Sequence, residues 1–271
     1  MKSILHGLGS LVFPHNCILC QSNISELPFA QHGAQFSAPQ IDGDDRIEGR
    51  IEKFPNKVSA PYLCRRCELK VKFNTPPFCL QCSRHLEKYT SQGLCRSCQK
   101  VRAHYDFSWA VTEYNDAMRR LIHLFKYRHK TLLRKTFGFL MHQFITSYQI
   151  NLTEIDCLIP LPLHSSRQRE RGFNQAELLA ELLAPRLNVP VVRNNLKRTV
   201  PTQNQARLGL KERFTNIHDA FTITRPQELS DRNILLVDDL LTTGATASEA
   251  AKAIKNAGAA RVGIFTLAIA N

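Results

Sequence analysis

The sequence predicts an α/β domain with a largely parallel sheet and helices on both faces, preceded by a small module held by metal-bound cysteines. Three observations predict it. Short apolar runs at Ile155–Ile159, Ile234–Val237 and Arg261–Ala270 alternate with helical patterns, the rhythm of a parallel sheet. One of those runs continues into Asp238-Asp239-Leu240-Leu241-Thr242-Thr243-Gly244-Ala245-Thr246, an acid pair followed by a hydroxyl- and glycine-rich turn. Eight of the nine cysteines fall into four C-x-x-C pairs near the N-terminus.

The 271 residues allow one sizeable core and a smaller module. Composition is ordinary for a globular chain, with 43% hydrophobic and 22% charged residues. The formal charge of +13 points to contact with polyanions, either nucleic acid or phosphorylated metabolites. No run approaches the roughly 18–20 apolar residues of a spanning helix, so membrane insertion is not expected. Met1–Phe13 holds a Lys, a His and two Gly and makes a poor signal peptide. A cytoplasmic protein is expected, reaching the inner membrane only through partners.

The cysteine pairs are Cys17/Cys20, Cys64/Cys67, Cys79/Cys82 and Cys95/Cys98. Two residues between thiols is the spacing of a metal knuckle, and four pairs suffice for two zinc sites with four thiolates each. Disulfides would need an oxidising compartment, for which the sequence gives no signal. The third and fourth pairs are separated by a short polar link and read as one compact ribbon. The first and second would then share a metal with the interval 21–63 looped out, although interleaved pairing satisfies the same spacings. Within that interval Ala30–Lys57 is rich in Gln, Gly, Asp, Pro and Ser and reads as a surface insertion. Its Ile47-Glu48-Gly49-Arg50 matches a protease recognition sequence by coincidence. The boundary between the module and the α/β domain is set at 103/104. Around the knuckles stand Arg65, Arg66, Lys70, Lys72, Arg84, Lys88, Arg96, Lys100 and Arg102, so the module serves as a brace, a nucleic-acid grip or both.

In the second domain Phe107–Tyr114 has strand character. Met118, Leu121, Ile122 and Phe125 then mark one face of a helix, which ends in the basic cluster Lys126–Lys130. A second helix is expected over Leu132–Ile145. The strand Ile155–Ile159, with Cys157 as a buried core residue, leaves the sheet at Pro160-Leu161-Pro162. His164–Gln175 has several cationic side chains and no apolar stripe, and is expected to be a basic loop. A helix follows from Ala176 to Ala184. Val189–Leu196 and Ala220–Ile223 read as strands, and Lys197–Arg213 as a basic loop running into a short helix.

The turn after Asp239 offers backbone N–H groups and the hydroxyls of Thr242, Thr243 and Thr246 at a helix N-terminus, a natural seat for phosphate. Asp238 and Asp239 would repel phosphate, so they suit ribose hydroxyls or a divalent cation. Together Asp238, Asp239, Thr242, Thr243, Gly244, Ala245 and Thr246 describe a sugar-phosphate site at the carboxyl edge of a sheet.

This run resembles the phosphoribosyl pyrophosphate motif of the class I phosphoribosyltransferases, in which the acid pair holds the ribose and the loop grips the 5′-phosphate. More narrowly, the chain resembles the ComF family of competence proteins, which couple cysteine knuckles to a phosphoribosyltransferase-like domain. The matching pieces are the four cysteine pairs, Leu124-Phe125-Lys126-Tyr127, Pro160-Leu161-Pro162 and Arg171-Gly172-Phe173-Asn174-Gln175. Arg198, Thr202, Gln205, Leu208, Arg213, Asn216, Ala220 and Phe221 complete them, together with the central motif. His129 stands at or near a position where the family often has glycine, and the first insertion is longer than usual.

The resemblance implies a role in natural transformation: handling single-stranded DNA or docking a DNA-uptake helicase or DNA-processing protein, with a pocket for phosphoribosyl pyrophosphate or a similar ligand. It does not by itself imply a reaction. A Mg²⁺-dependent transferase is the alternative, with Asp238 and Asp239 on the ribose and Lys126 and Arg171 stabilising departing pyrophosphate. No aromatic base-stacking hood is evident, although Phe173 or Tyr127 offers a ring. A scaffold that kept the fold without the chemistry is the third reading.

Overall fold

The computed structural model describes residues 16–24, 60–88, 92–200 and 219–270. The first thirteen residues, the insertion at 30–57 and most of the basic stretch after Lys197, including Thr202, Gln205, Leu208, Arg213 and Asn216, lie outside the described residues. The chain divides into two compact units, Met1–Glu68 and Leu69–Asn271. This division by packing falls between the two cysteine groups, whereas the boundary at 103/104 was drawn on composition.

The larger unit is built on four parallel strands: β1 (Phe107–Glu113), β2 (Cys157–Pro160), β5 (Asn233–Leu241) and β6 (Arg261–Ile269), in the order β1-β6-β5-β2. Side chains alternate along each strand, so both faces need cover. Val262 and Ile264 of β6, with Ile234 and Leu236 of β5, pack into one cluster with Ala250, Ala251 and Ile254 of α7 (Ala245–Asn256). Phe265, of opposite parity, stacks with Phe144 of α4 (Leu133–Ser147) at 6.5 Å between ring centroids. α6 (Gln175–Leu187) packs on β2, β5 and α4. Cys157 is fully buried in β2, as its apolar surroundings in the sequence require.

α3 (Asp116–Tyr127) begins where Asn115 accepts a hydrogen bond from the Met118 N–H at 3.1 Å, an N-cap that satisfies one orphan donor. Its buried face holds Met118, Leu121, Ile122 and Phe125, the expected stripe.

Two expectations need correction. The run after His164 is not a loop: Ser165–Arg171 forms a helix, α5. It lacks an apolar stripe, but its ends carry it. His164 accepts the Ser166 N–H, and Gly172 closes the helix in the left-handed conformation at φ 74°. Val189–Leu196 is not a continuous strand either. Val191 alone bridges Leu158 in parallel, and Asn194 at φ 58° turns the chain away. Leu196–Arg198, β3, then pairs antiparallel with β4 (Phe221–Ile223) in a separate two-stranded sheet. Pro190 brings no N–H to the ladder, which limits the extension.

Among the described residues no helix is long and apolar enough to cross a membrane.

Candidate functional site

The two cysteine groups resolve the pairing that spacing left open. Cys17, Cys20, Cys64 and Cys67 form one cluster, and Cys79, Cys82, Cys95 and Cys98 the other, with all sulfurs of a cluster within 4.8 Å of one another. Interleaved pairing is excluded. Tetrahedral zinc with Zn–S bonds of about 2.3 Å requires sulfurs about 3.8 Å apart. Cys20 and Cys64 Sγ lie 3.6 Å apart, and Cys82 and Cys95 Sγ 3.7 Å apart. Nine free thiols with eight gathered in two such clusters fit two zinc sites.

The first knuckle is assembled from a turn after Asn16 and from α1 (Arg65–Glu68), in which Glu68 accepts the Ala60 N–H at 3.0 Å. Cys20 is exposed. The second knuckle, with α2 (Arg96–Lys100), is fixed into the larger unit. Phe78, next to Cys79, inserts among Trp109, Phe144 and Tyr148, with centroid distances of 5.6, 5.9 and 5.6 Å. Buried Asn74 donates to the carbonyls of Ser83 (2.6 Å) and Ala110 (3.1 Å), and Ser108 Oγ donates to the Gln81 carbonyl at 2.6 Å. The backbone between the ligands thus finds its partners on β1.

The acid pair sits near the carboxyl end of β5. Alternation assigns Asp238 the parity of Ile234 and Leu236, and Asp239 that of Leu235 and Val237. Their surroundings differ accordingly. Asp239 is 4% exposed and forms an ion pair with Lys126 Nζ at 2.8 Å. Asp238 is partly open to solvent and accepts the Asp239 N–H at 2.8 Å. Its pKa is pushed up to about 7, first by burial and then by the charge of Asp239. Lys126, the Asp239 N–H and Arg198 oppose that rise. Although solvent reaches part of Asp238, the carboxylate lies deep among protein atoms, and the direction follows from that.

Beyond the acids, Thr242 and Thr243 lead to Gly244 at φ 77°, and α7 starts at Ala245, with Thr246 in its first turn. Glycine is required here twice over. The left-handed backbone disfavours a side chain, and a β-carbon would stand 2.8 Å from the Tyr105 hydroxyl oxygen. The Ala245 N–H reaches Thr243 Oγ1 at 3.4 Å.

Arg171 ends α5 and is 7% exposed. Its Nη1 donates to Gln175 Oε1 at 2.9 Å and its Nη2 to the Tyr127 hydroxyl at 3.2 Å, while the guanidinium lies 5.0 Å from the Tyr127 ring centre. Arg171 Nε and Gln175 Nε2 have no acceptor among the described residues. The Arg-Gly-Phe-Asn-Gln run thereby explains itself. Asn174 caps α6 through the Ala176 N–H and ties the Leu161 carbonyl, Gln175 orients Arg171, and Phe173 packs on Phe125 and His129. Of the adjacent α3 residues, Lys126 meets an acid and Tyr127 carries an arginine.

Two contributors, Arg198 and Tyr105, have no role that the sequence assigns. Arg198, matched as part of a pattern but given no role, has its pKa lowered by burial and by Arg167, with Asp238 acting in the opposite sense. Arg167 lies on α5, within the basic run His164–Gln175. Tyr105 behind Gly244 lies in no motif, and only its aromatic character next to β1 offered a signal.

A model of the phosphoribosyl transferase domain matches residues 171–271, from Arg171 through the acid pair to β6. Competence protein F of Haemophilus influenzae is 31% identical over 211 residues, covering 76% of this chain and 90% of the relative. Competence protein ComFC of Bacillus subtilis is 32% identical over 213 residues, covering 76% and 83%. DNA utilization protein YhgH of Salmonella typhimurium is 26% identical over 226 residues, covering 78% and 98%. With relatives matched at this identity over most of their length, and with two cysteine knuckles beside the phosphoribosyl transferase domain, the chain belongs to the ComF family of competence proteins.

Proposed function

We propose that the protein serves DNA uptake on the cytoplasmic side, binding single-stranded DNA or a DNA-uptake helicase, and that the carboxyl end of β5 is a pocket for a phosphoribosyl group. The relatives named for competence and DNA utilization support the first part, as does the charge of +13. The single observation behind the pocket is the juxtaposition of the partly open Asp238 with a glycine-capped helix N-terminus. A carboxylate accepts from ribose hydroxyls, and the N–H groups of a helix start are oriented to donate to a phosphate. The buried Arg171 Nε and Gln175 Nε2, both without acceptors, add donors that an anionic oxygen would satisfy. Orphaned buried donors of this kind cost about 1–3 kcal/mol each.

Mg²⁺ fits the donor set as an accompanying ion. Asp238 and Asp239 offer oxygen ligands, and the ion would neutralise pyrophosphate charge when bound. Titration calorimetry with phosphoribosyl pyrophosphate and Mg²⁺ tests the pocket: binding to the native protein and none to the double variant Asp238→Asn, Asp239→Asn is expected. No binding to the native protein would refute the pocket. DNA binding is tested separately, by single-strand affinity against salt, where a steep loss with rising salt is expected.

A transferase reading is favoured by one feature. Lys126 is paired with Asp239 in the site, and Arg171 is bonded to Tyr127, the next residue of α3. A fixed cation beside the acid pair suits charge developing on departing pyrophosphate. Release of pyrophosphate with nucleobases, amines or DNA as acceptors would establish it, and its absence with all three would leave binding alone.

A further inference from the structure

Residues 101–106 leave the second knuckle and run along α7 as a strap. Cys98 lies on α2, which ends at Lys100. The His104 N–H then donates to Ser248 Oγ on α7 at 3.0 Å, and the Tyr105 ring reaches Gly244 at the helix start. Asp106 fastens the far end, accepting from Lys255 Nζ at 2.6 Å and from the Val262 N–H at 2.8 Å. Tyr105 is 5% exposed and belongs to the same apolar cluster as Ala245 and Ala247. The strap joins the ring to the knuckle over the stretch from Cys98 to Tyr105.

We propose that Tyr105 is a positioning residue: it forms the back wall of the 242–246 turn, and the second knuckle sets that wall, so occupancy of the Cys79/Cys82/Cys95/Cys98 site controls how well the turn holds phosphate. The coupling to phosphate rests on the phosphoribosyl reading above. The geometric half does not. A packed ring against a glycine without a β-carbon leaves no slack, and a site must be held to within about 0.5 Å to keep its affinity. The knuckle is itself pinned to β1 by Ser108, Asn74 and Phe78, so its loss would release both the strap and the wall.

The test uses the full zinc-loaded chain, with amide hydrogen exchange over residues 243–248 and titration of ribose 5-phosphate, which carries the phosphate without pyrophosphate. Tyr105→Ala is expected to keep both metals, to speed exchange at 243–248 while β1 stays protected, and to weaken ribose 5-phosphate by about 10- to 100-fold. Tyr105→Phe keeps the ring but loses the hydroxyl nearest Gly244, and should restore both in part. Cys98→Ser should speed the same amides, and should add nothing once Tyr105 is alanine. Where Cys98→Ser does not fold, partial zinc depletion of the native chain with a chelator replaces it. Native exchange at 243–248 in Tyr105→Ala, or in the loosened knuckle, would overturn the proposal. If the native protein binds no ribose 5-phosphate, the phosphoribosyl reading fails, and the exchange data still decide the role of Tyr105.

Discussion

The two knuckles have the same four ligands and comparable sulfur spacing, yet they are held in different ways. The first builds on a turn and on the four-residue α1, with Cys20 facing solvent. The second has no exposed sulfur, and its intervening backbone bonds to β1 through Ser108, Asn74 and Ser83. Ligand set alone therefore does not define what a knuckle contributes. A small thiolate site can be a fold in itself, its metal replacing a missing core. The same site can also be a keystone, whose metal fixes the loops of a larger domain.

The largest effect expected from this contrast is on stability. Cys79→Ser removes a fully buried ligand and should cost the larger unit several kcal/mol, a share of the ~10–16 kcal/mol that structural zinc supplies at thiolate sites. Urea denaturation followed at Trp109 would read it. If Cys79→Ser unfolded at native urea, the keystone description would be wrong. Asn74→Ala sharpens the comparison without touching metal. It strands two carbonyls and should cost about 2–3 kcal/mol with zinc content unchanged. Cys17→Ser should lower zinc from two ions to one while the other cluster keeps its ion, because the ligand sets share no residue. Elemental analysis checks this, and loss of both ions would contradict it. In the native protein the knuckle with the exposed Cys20 should yield its metal to a chelator first, seen as two phases of release.

A separate effect concerns the acid pair. The Asp238 carboxyl is raised from 3.8 to about 7, so the folded chain retains a proton that the unfolded chain has released. Between those values stability falls as pH rises, and above about 7 the whole cost is present. A ligand that requires the carboxylate binds more tightly as pH rises through about 7, and Asp238→Asn should remove that component. Calorimetric affinity for phosphoribosyl pyrophosphate across neutrality, compared between native and variant protein, measures it. An identical slope in both would assign the titration elsewhere.

Much of the fold was legible because its signals are local. Val237-Asp238-Asp239 followed by Thr242-Thr243-Gly244 sets a strand, two acids and a helix start within ten residues. Long apolar strands covered on both faces read as unbroken runs, so β5 and β6 were plain. What escaped depends on distance or on end effects. α5 has no apolar stripe and exists through its caps. The interval 189–196 is apolar enough for a strand, but proline and a left-handed asparagine break it. The pairing of knuckles needed three-dimensional closure. Tyr105 was invisible because its meaning comes from a missing atom, the β-carbon of Gly244, some 140 residues away.

The strand order has a consequence for how the chain is made. β6, last in sequence, lies between β1 and β5, so neither neighbour can complete its ladder until residues 261–269 have left the ribosome. The cysteines of the second knuckle emerge far earlier. Arg84, inside that knuckle, bonds the carbonyl of Ala270 across 186 residues at 3.2 Å. Metal capture on the nascent chain would thus finish the knuckle while the sheet still waits for its central strand.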